Sequence, residues 1–317
     1  MLDSSFQIIC TVSVDGPASL RRRPARSPCT RPTPFTTRTT VHVHWGAQPL
    51  PGTAEGGDAS LKVMTSERLD NRISLITGGT TGMGLATARR LLDEGAQVII
   101  TGRDQERLDA ATLTLDAGDR LLPVRADASN ISDIDELMTT IGERYGRLDF
   151  VFANAGILSG RSTQDVTEEE FDRVVGVNFK GVYFTVQKAI PLLHDGASVV
   201  LNASWTIYLG RGTNALYSAS KAAVHNLART LASELAPRRI RVNSVSPGYI
   251  VTRMFDGVPV EERGAYVAEV AAGRLGTPED IAGVIAFLAS DDSAYVNGED
   301  ILVDGGRVAV DPLRPME

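Results

Sequence analysis

Short apolar runs alternate along this chain with longer segments of helical periodicity. Seven runs predict β-strands, at Ile73–Ile76, Gln97–Thr101, Leu121–Arg125, Phe150–Ala153, Ser198–Asn202, Arg241–Val245 and Asp300–Val303. Five segments predict α-helices, at Leu85–Glu94, Ile131–Tyr145, Phe171–Leu193, Ala215–Leu235 and Pro278–Ala289. Because the strands are almost continuously apolar, both faces of the sheet should be covered by helices, which is typical of a parallel sheet. The pattern predicts one α/β domain with a doubly wound parallel sheet and a ligand site at the carboxyl ends of its strands.

Composition excludes several classes of protein. Apolar residues make up 43% and charged residues 22% of the 317 residues, which is ordinary for a soluble globular protein. The sequence has no run of 18 apolar residues, so no membrane span is expected. The net charge of −7 argues against a nucleic-acid partner. Two cysteines, Cys10 and Cys29, imply neither a disulfide framework nor a cysteine-rich metal site, and they fit a cytoplasmic location.

The sequence changes character near Met64. Residues 1–63 hold seven of the 15 prolines and seven basic residues against four acidic ones, without a sustained period of 3.6 or 2. This segment is predicted to be a disordered extension, and residues 64–317 to form the folded domain. Three readings stay open: a disordered tail, a targeting peptide that Asp3 and Asp15 disfavour, or an upstream start that precedes a natural start at Met64.

A glycine-rich turn follows the first predicted strand and leads into the first helix. Its sequence runs from Thr77 to Gly84 as TGGTTGMG. Glycines let a backbone approach a pyrophosphate closely, and the helix N-terminus provides free N–H groups and a positive dipole end. A glycine-rich turn without a ligand is the alternative, but this strand–turn–helix context is the one that a dinucleotide site requires. The sheet is therefore expected to be Rossmann-like.

The end of the second strand bears on the choice between NADP(H) and NAD(H). An enzyme that prefers NAD usually has an acidic residue here to bind the ribose 2′-hydroxyl, whereas this chain has Gly102 followed by Arg103. A guanidinium matches a 2′-phosphate in charge and geometry, so Arg103 favours NADP(H), with NAD(H) as the alternative. Arg103 could also be an ordinary surface residue, and Asp104 beside it could offset its charge.

Tyr217 and Lys221 stand four residues apart on a predicted helix, thirteen residues after Ser204. Side chains at i and i+4 share one face of a helix. An ammonium about 4 Å from the phenol, at an effective dielectric near 20, would favour the phenolate by roughly 4 kcal/mol, or about three pKa units. This would bring the pKa of the tyrosine into the range of general acid–base catalysis. Taken alone, a Tyr and Lys pair at this spacing is usually an ordinary amphipathic pairing.

Several motifs in order make the chain resemble the short-chain dehydrogenase/reductase family, in its branch of roughly 250-residue subunits, over about residues 70–306. The Thr77–Gly84 turn resembles the family's TGxxxGxG, and Ala153–Gly156 resembles NNAG with alanine at the first position. Tyr217 and Lys221 match YxxxK, and Pro247–Thr252 matches PGxIxT. The resemblance implies a catalytic set of Asn178, Ser204, Tyr217 and Lys221. It implies cofactor contacts from Gly78, Thr80, Thr81, Gly82, Met83, Gly84, Asp127, Ala128, Asn154, Ala155, Gly156, Tyr217, Lys221, Pro247, Gly248, Ile250 and Thr252.

The resemblance also implies a role for each catalytic residue. Tyr217 would be the acid in ketone reduction and the base in alcohol oxidation, and Lys221 would lower its pKa and bind the nicotinamide ribose. Ser204 would bind the substrate oxygen. Asn178 would hold a water that links Lys221 to solvent. No metal is expected.

Substrate selection is expected in the segments 158–164, 205–212 and 253–273. The aromatic and apolar residues there predict an apolar-lined pocket for a ketone or secondary alcohol with hydrophobic bulk; they are Trp205, Tyr208, Leu209, Tyr249, Met254 and Phe255. The charge of −10 left for residues 64–317 disfavours an acidic carrier protein that delivers a 3-oxoacyl thioester. That thioester and a sugar remain alternative substrates.

The resemblance implies a homotetramer or homodimer that uses the helices Phe171–Leu193 and Ala215–Leu235 and the C-terminal strand region. The rival function is a dinucleotide-sensing regulator or scaffold without catalysis. The four catalytic residues argue against it. An epimerase or dehydratase on a related fold is disfavoured because it would usually need a longer C-terminal substrate domain.

Overall fold

The computed structural model describes residues 68–255 and 258–311. The predicted disordered extension and the predicted domain boundary at Met64 lie outside these residues. No described helix is long and apolar enough to cross a membrane.

Seven parallel strands form one sheet in the order β3-β2-β1-β4-β5-β6-β7. Their bounds are Ile73–Ile76 (β1), Gln97–Gly102 (β2), Leu121–Arg125 (β3), Leu148–Ala153 (β4), Leu193–Asn202 (β5), Arg241–Pro247 (β6) and Asp300–Val303 (β7). All seven predicted strands are confirmed. β5 begins five residues earlier than predicted, because Leu193 already pairs with Leu148, before a shift in the strand register. The residues that follow Leu193 are polar, so the sequence pattern did not indicate a strand there.

Helices cover both faces of the sheet. They are Gly82–Asp93 (α1), Gln105–Leu115 (α2), Ile131–Tyr145 (α3), Glu168–Val175 (α4), Val182–Ala189 (α5), Ala215–Leu235 (α6), Arg263–Val267 (α7) and Pro278–Ala289 (α8). The prediction missed α2. It also placed one helix at Phe171–Leu193, where α4 and α5 are joined by a π-helical segment, Gly176–Gly181. Helix α5 ends at Ala189, since Pro191 lacks the amide hydrogen that would continue the helix.

Two hydrophobic layers hold the sheet between the helices. Along β4, Phe150 and Phe152 face one layer, with α1 and α8, while Val151 and Ala153 face the other, with α3, α5 and α6. This alternation explains why the strand is apolar at every position. The doubly wound, Rossmann-like sheet is confirmed, and the carboxyl ends of its strands meet at one edge.

Candidate active site

The turn between β1 and α1 is packed so tightly that only glycine fits at several positions. A Cβ on Gly84 would lie 2.3 Å from the carbonyl oxygen of Gly78, and one on Gly79 would lie 2.7 Å from Cβ of Ile100. Gly78 and Gly82 have φ of +66° and +54°, in the left-handed region that favours glycine. The turn therefore presents bare backbone at the sheet edge.

The N-terminus of α1 is suited to an anion. Its N-cap residue is Thr81, whose side chain makes no capping hydrogen bond, and no acidic residue stands in the first turn. The first amide N–H groups of the helix thus keep their donors for a ligand. Thr80 packs against Gly102, and Met83 packs against the core beneath the turn. This cradle fits the pyrophosphate of a dinucleotide.

Asn154 fixes the glycine-rich turn to the end of β4. Its side-chain Nδ2 donates to the carbonyl oxygens of Thr77 and Gly78 at 3.0 and 3.2 Å. The backbone N–H groups of Asn154 and Ala155 donate to Oγ1 of Thr77 at 3.0 and 3.1 Å. Asn154 is 9% exposed, so this expected cofactor residue mainly holds the turn in place.

The end of β2 has no room for an acidic side chain. A Cβ on Gly102 would lie 2.6 Å from Cγ2 of Thr80. Arg103 lines a surface pocket together with Arg125, Gln105 and the three carboxylates of Asp104, Glu106 and Asp127. Arg125 ends β3 and pairs in register with Gly102, so two guanidinium groups share this pocket. Sequence reasoning missed Arg125, because only the strand pairing brings it next to Arg103.

The two arginines keep their positive charge available. Neither Arg103 nor Arg125 has a carboxylate within 4.0 Å among the residues that the structure describes. Asp104 instead caps α2, accepting from the backbone N–H of Arg107 at 3.1 Å, and lies 3.5 Å from Nε of the same residue. Asp104 therefore pairs with Arg107 and not, as the sequence suggested, with Arg103.

Asp127 and Ala128 follow β3 at the same edge. Oδ1 of Asp127 accepts from the backbone N–H and the hydroxyl of Ser129 at 2.9 and 2.7 Å, which fixes the carboxylate at the pocket wall. A Cβ on Gly181 would lie only 2.3 Å from the carbonyl oxygen of Ala128. This close approach ties the π-helical segment to the end of β3.

Ser204 and Tyr217 meet in a buried environment. Ser204 follows β5 and is 4% exposed, and its Oγ accepts from Oγ1 of Thr206 at 3.0 Å. Tyr217 projects from the first turn of α6. Burial raises the pKa of Tyr217, and a hydrogen bond with Ser204 acts in the opposite direction. Burial outweighs this opposing effect, so the neutral form of the phenol is favoured.

Lys221 lies one turn after Tyr217 and is 2% exposed. Its Nζ donates to the carbonyl oxygen of Asn202 at 2.6 Å and lies 5.9 Å from the centroid of the Tyr217 ring. Burial lowers the pKa of Lys221 to about 8. We expected the ammonium to lower the pKa of Tyr217, but here burial dominates and raises it, because Nζ points to Asn202.

Asn178 and Gly156 complete the floor of the site. Asn178 lies in the π-helical segment, accepts from the backbone N–H of Ile157 at 2.8 Å and donates to Oγ of Ser220 at 3.1 Å. A Cβ on Gly156 would lie 3.2 Å from Nζ of Lys221 and 3.5 Å from Oδ1 of Asn178. Lys221 and Asn178 are thus neighbours, and the absence of a side chain at Gly156 leaves room for both of them.

The segment after β6 closes the site on the side of the turn. Pro247 ends β6, and a Cβ on Gly248 would lie 2.6 Å from Cα of Asp304. Ile250 is buried and bridges to Gly276. The side chain of Thr252 lies against the glycine-rich turn, 3.1 Å from an ideal Cβ on Gly82. The expected catalytic and cofactor residues therefore lie at one edge of the sheet.

Comparisons with known proteins identify the family. The family profile described as enoyl-(acyl carrier protein) reductase matches residues 78–307. Meso-2,3-butanediol dehydrogenase of Serratia marcescens is 38% identical over 245 residues, covering 77% of this chain and 97% of that protein. The NADP-dependent (R)-specific alcohol dehydrogenase of Lentilactobacillus kefiri is 35% identical over 250 residues, covering 77% and 99%. A Brucella melitensis crystal structure, described as a short-chain dehydrogenase/reductase, has a TM-score of 0.75 at 35% identity and covers 77% of this chain and 100% of that one.

The chain is a short-chain dehydrogenase/reductase. As a member of this family, it is an oxidoreductase that acts on CH–OH groups and uses a nicotinamide cofactor. The glycine-rich cradle and the uncapped start of α1 fit that cofactor.

Asn202 is a site residue of this short-chain dehydrogenase/reductase that sequence reasoning missed. It ends β5, is 5% exposed, and its Nδ2 donates to Oδ1 of Asn154 at 2.9 Å. Its carbonyl oxygen accepts from Lys221, so one residue joins the buried lysine to the amide that holds the turn. Among the described residues, its buried Oδ1 has no hydrogen-bond partner. The sequence signal that could have identified Asn202 is its position as a polar residue at the end of an apolar strand.

Some of the residues that were expected to line the substrate pocket pack together. Trp205, Tyr249 and Phe255 are buried in one cluster, and Leu209 packs against it. Tyr208 points elsewhere, is 43% exposed and donates to Oδ2 of Asp300 at 2.8 Å. The side chain of Met254 lies outside the described part of the chain. The cluster also carries charged side chains that the expectation of an apolar pocket did not include.

Proposed function

We propose that this enzyme interconverts a ketone and a secondary alcohol with NADP(H) as the favoured cofactor, using Tyr217, Ser204, Lys221 and Asn178. The observation that carries the proposal is the burial of Ser204, Tyr217 and Lys221, with Nζ of Lys221 5.9 Å from the centroid of the Tyr217 ring. This group is joined to the dinucleotide cradle through Asn202 and hence lies where a nicotinamide ring can reach.

Ser204 would bind the substrate oxygen. Its Oγ already accepts from Thr206, so its own hydrogen is free to donate toward Tyr217 or a carbonyl oxygen. Such a donor stabilises negative charge that develops on the oxygen as the carbonyl is reduced.

Tyr217 would transfer the proton. Because burial raises its pKa, the phenol stays protonated at neutral pH and is ready to donate to a carbonyl oxygen. Lys221, with a pKa of about 8, is mainly charged at pH 7 and can stabilise the phenolate that remains. A bound nicotinamide would supply or accept the hydride.

Arg103 and Arg125 support the preference for NADP(H). A 2′-phosphate accepts strong charge-assisted hydrogen bonds from guanidinium groups. The space at Gly102 excludes the acidic residue that a 2′-hydroxyl would require, since Thr80 fills it.

The deciding experiment follows absorbance at 340 nm for the 317-residue chain with NADPH or NADH and a panel of aryl ketones, diketones, steroid ketones, 3-oxoacyl thioesters and sugars. We expect substrate-dependent oxidation of NADPH that Tyr217→Phe lowers by roughly 10²–10⁴-fold with little change in NADPH affinity. Tyr295→Phe, which alters a fully exposed phenol, should leave the rate unchanged and serves as the control. Full turnover by Tyr217→Phe would refute the catalytic assignment, and NADPH binding without turnover of any carbonyl would favour a dinucleotide sensor.

We further propose a homotetramer or homodimer in the cytoplasm, with residues 64–317 as the catalytic domain. Phe171 on α4 and Tyr183 on α5 are 50% and 43% exposed, which would suit burial against another subunit. Light scattering on the purified chain should give a mass of two or four chains. A monomer at micromolar concentration would contradict this.

A further inference from the structure

The wall beside Ser204 is built around the ring of Tyr249. The Tyr249 ring lies 5.0 Å from Trp205, the residue that follows Ser204, and 5.0 Å from Tyr266 of α7. Phe255 closes the group at 5.3 Å from Tyr266. These four rings, which we call the aromatic wall, join the segment after Ser204 to the segment 253–273.

Two of the charged side chains on the aromatic wall neutralise each other. Arg307 lies 5.0 Å over the Trp205 ring and forms an ion pair with Glu269 at 2.8 Å. The hydroxyl of Tyr249 donates to the same carboxylate at 2.8 Å. Glu269 is therefore already committed to partners of its own.

Arg211 has no such counter-charge. Among the described residues no carboxylate lies within 4.0 Å of it, and its polar partner is the Tyr249 hydroxyl. Its Cζ lies 5.5 Å from the Tyr249 ring and 5.1 Å from the Tyr266 ring. Its position, seven residues after Ser204 and six before Tyr217, keeps it in the loop between two catalytic residues.

A second guanidinium on the aromatic wall is also unpaired. Arg263 lies 5.8 Å from the centroid of the Phe255 ring and donates to the carbonyl oxygen of Val258 at 3.3 Å, again without a carboxylate within 4.0 Å in the described ranges. The wall thus carries three arginines and one carboxylate, in a chain whose net charge is −7. A local excess of positive charge would attract an anion that the rest of the surface repels.

Arg211 donates from Nη1 to the Tyr249 hydroxyl, which leaves the N–H groups on the other edge of its guanidinium plane to donate to a ligand. That edge matches the two oxygens of a carboxylate. We propose that the substrate of this enzyme carries a carboxylate, which Arg211 binds on the aromatic wall while the carbonyl group lies at Ser204 and Tyr217. This inference rests on the proposed function and names the substrate class.

The kinetic test uses two pairs of ketones that differ only in charge: 4-acetylbenzoate with 4-acetylbenzamide, and acetoacetate with acetoacetamide. With NADPH, we expect the wild-type kcat/KM to be about tenfold or more higher for at least one carboxylate than for its amide. Arg211→Gln should remove that preference mainly by raising KM, with less than about a threefold change for the amide. Arg211→Lys should restore part of it, and Arg229→Gln, at an exposed position on α6, is the matched control.

A binding test separates failure of this inference from failure of the proposed function. Calorimetric titration in the presence of NADP⁺ should show 4-acetylbenzoate binding about tenfold more tightly than 4-acetylbenzamide, and the difference should vanish in Arg211→Gln. If no ketone turns over but this difference is found, the proposed reaction fails and the anion site stands. Equal affinities and equal kcat/KM values within both pairs, or equal losses for acid and amide in Arg211→Gln, would overturn the anion site.

Discussion

The glycine-rich turn and the aromatic wall are built in different ways. The turn is shaped by backbone and by the neutral amides of Asn154 and Asn202, with contacts that leave no room for a Cβ. The wall is made of large side chains, and unpaired arginines such as Arg211 lie on its rings. The turn suits a cofactor that is the same in every turnover. The wall is formed by side chains, so single substitutions can adapt it to a different substrate.

Lys221 gives the sharpest test of this contrast, because it places a charge among the buried amides. We expect Lys221→Met to raise the free energy of unfolding at pH 7 by about 2 kcal/mol: a penalty of about 3 kcal/mol for a charged lysine with its pKa lowered is removed, and about 1 kcal/mol is lost with its hydrogen bond. Arg211→Gln, which alters a partly exposed charge on the wall, should change stability by less than about 0.5 kcal/mol.

The pH dependence of this effect has a defined sign. The pKa of Lys221 is about 8 in the folded chain, whereas an ordinary lysine has a pKa of 10.5. Its destabilising effect is complete below pH 8, fades between pH 8 and 10.5, and is absent above that. Urea unfolding of both proteins at pH 7 and pH 10.5 measures this, and a Lys221→Met protein less stable than wild type at pH 7 would refute it.

Gly84→Ala tests whether the turn depends on bare backbone. The added Cβ would lie 2.3 Å from the carbonyl oxygen of Gly78, so the cradle must open. We expect NADPH affinity to fall by at least roughly tenfold, from an overpacking cost of about 1–3 kcal/mol. Gly283→Ala, in α8 with no atom within 4 Å of its Cβ, is the control and should bind NADPH normally. Normal binding by Gly84→Ala, measured by fluorescence titration, would mean that the turn can adapt.

Arg103→Ala tests the charge of the cofactor pocket. We expect KM for NADPH to rise about tenfold more than KM for NADH, because one charge-assisted hydrogen bond is lost. Arg125→Ala should act in the same direction with a smaller effect. Arg107→Ala removes an arginine whose partner is Asp104 and should not alter the ratio. Equal effects on both cofactors would remove the case for NADP(H).

Asn202→Leu tests the link between the turn and Lys221 and should have the smallest effect. Removing the bond to Asn154 loosens both the turn and the carbonyl oxygen that holds Lys221. We expect kcat/KM to fall about fivefold, which corresponds to the loss of one hydrogen bond. Part of this fall should come from a higher KM for NADPH and part from a lower kcat. Asn226→Leu, on the exposed surface of α6, is the control. A change in protein stability without a change in either kinetic constant would make the role of Asn202 purely structural.

The predictable parts of the molecule are those that depend on neighbours in sequence. Short apolar runs located all seven strands. The Thr77–Gly84 turn was found because it directly follows a predicted strand and leads into a predicted helix. The i, i+4 spacing placed Tyr217 and Lys221 on one helix face. The start of β5 and the helix α2 were missed, since polar residues interrupt the first and the second has weak amphipathic periodicity.

The sequence by itself determined the family, the order of the seven strands and most of the residues that lie at the site, because each of these is carried by local spacing. The tertiary structure decided which partners those residues meet. Register across β2 and β3 put Arg125 beside Arg103, and the ends of β4 and β5 joined Asn154 to Asn202. Burial, which depends on the whole fold, raised the pKa of Tyr217 and lowered that of Lys221. Such effects arise between residues far apart in the chain, where no sequence period can record them.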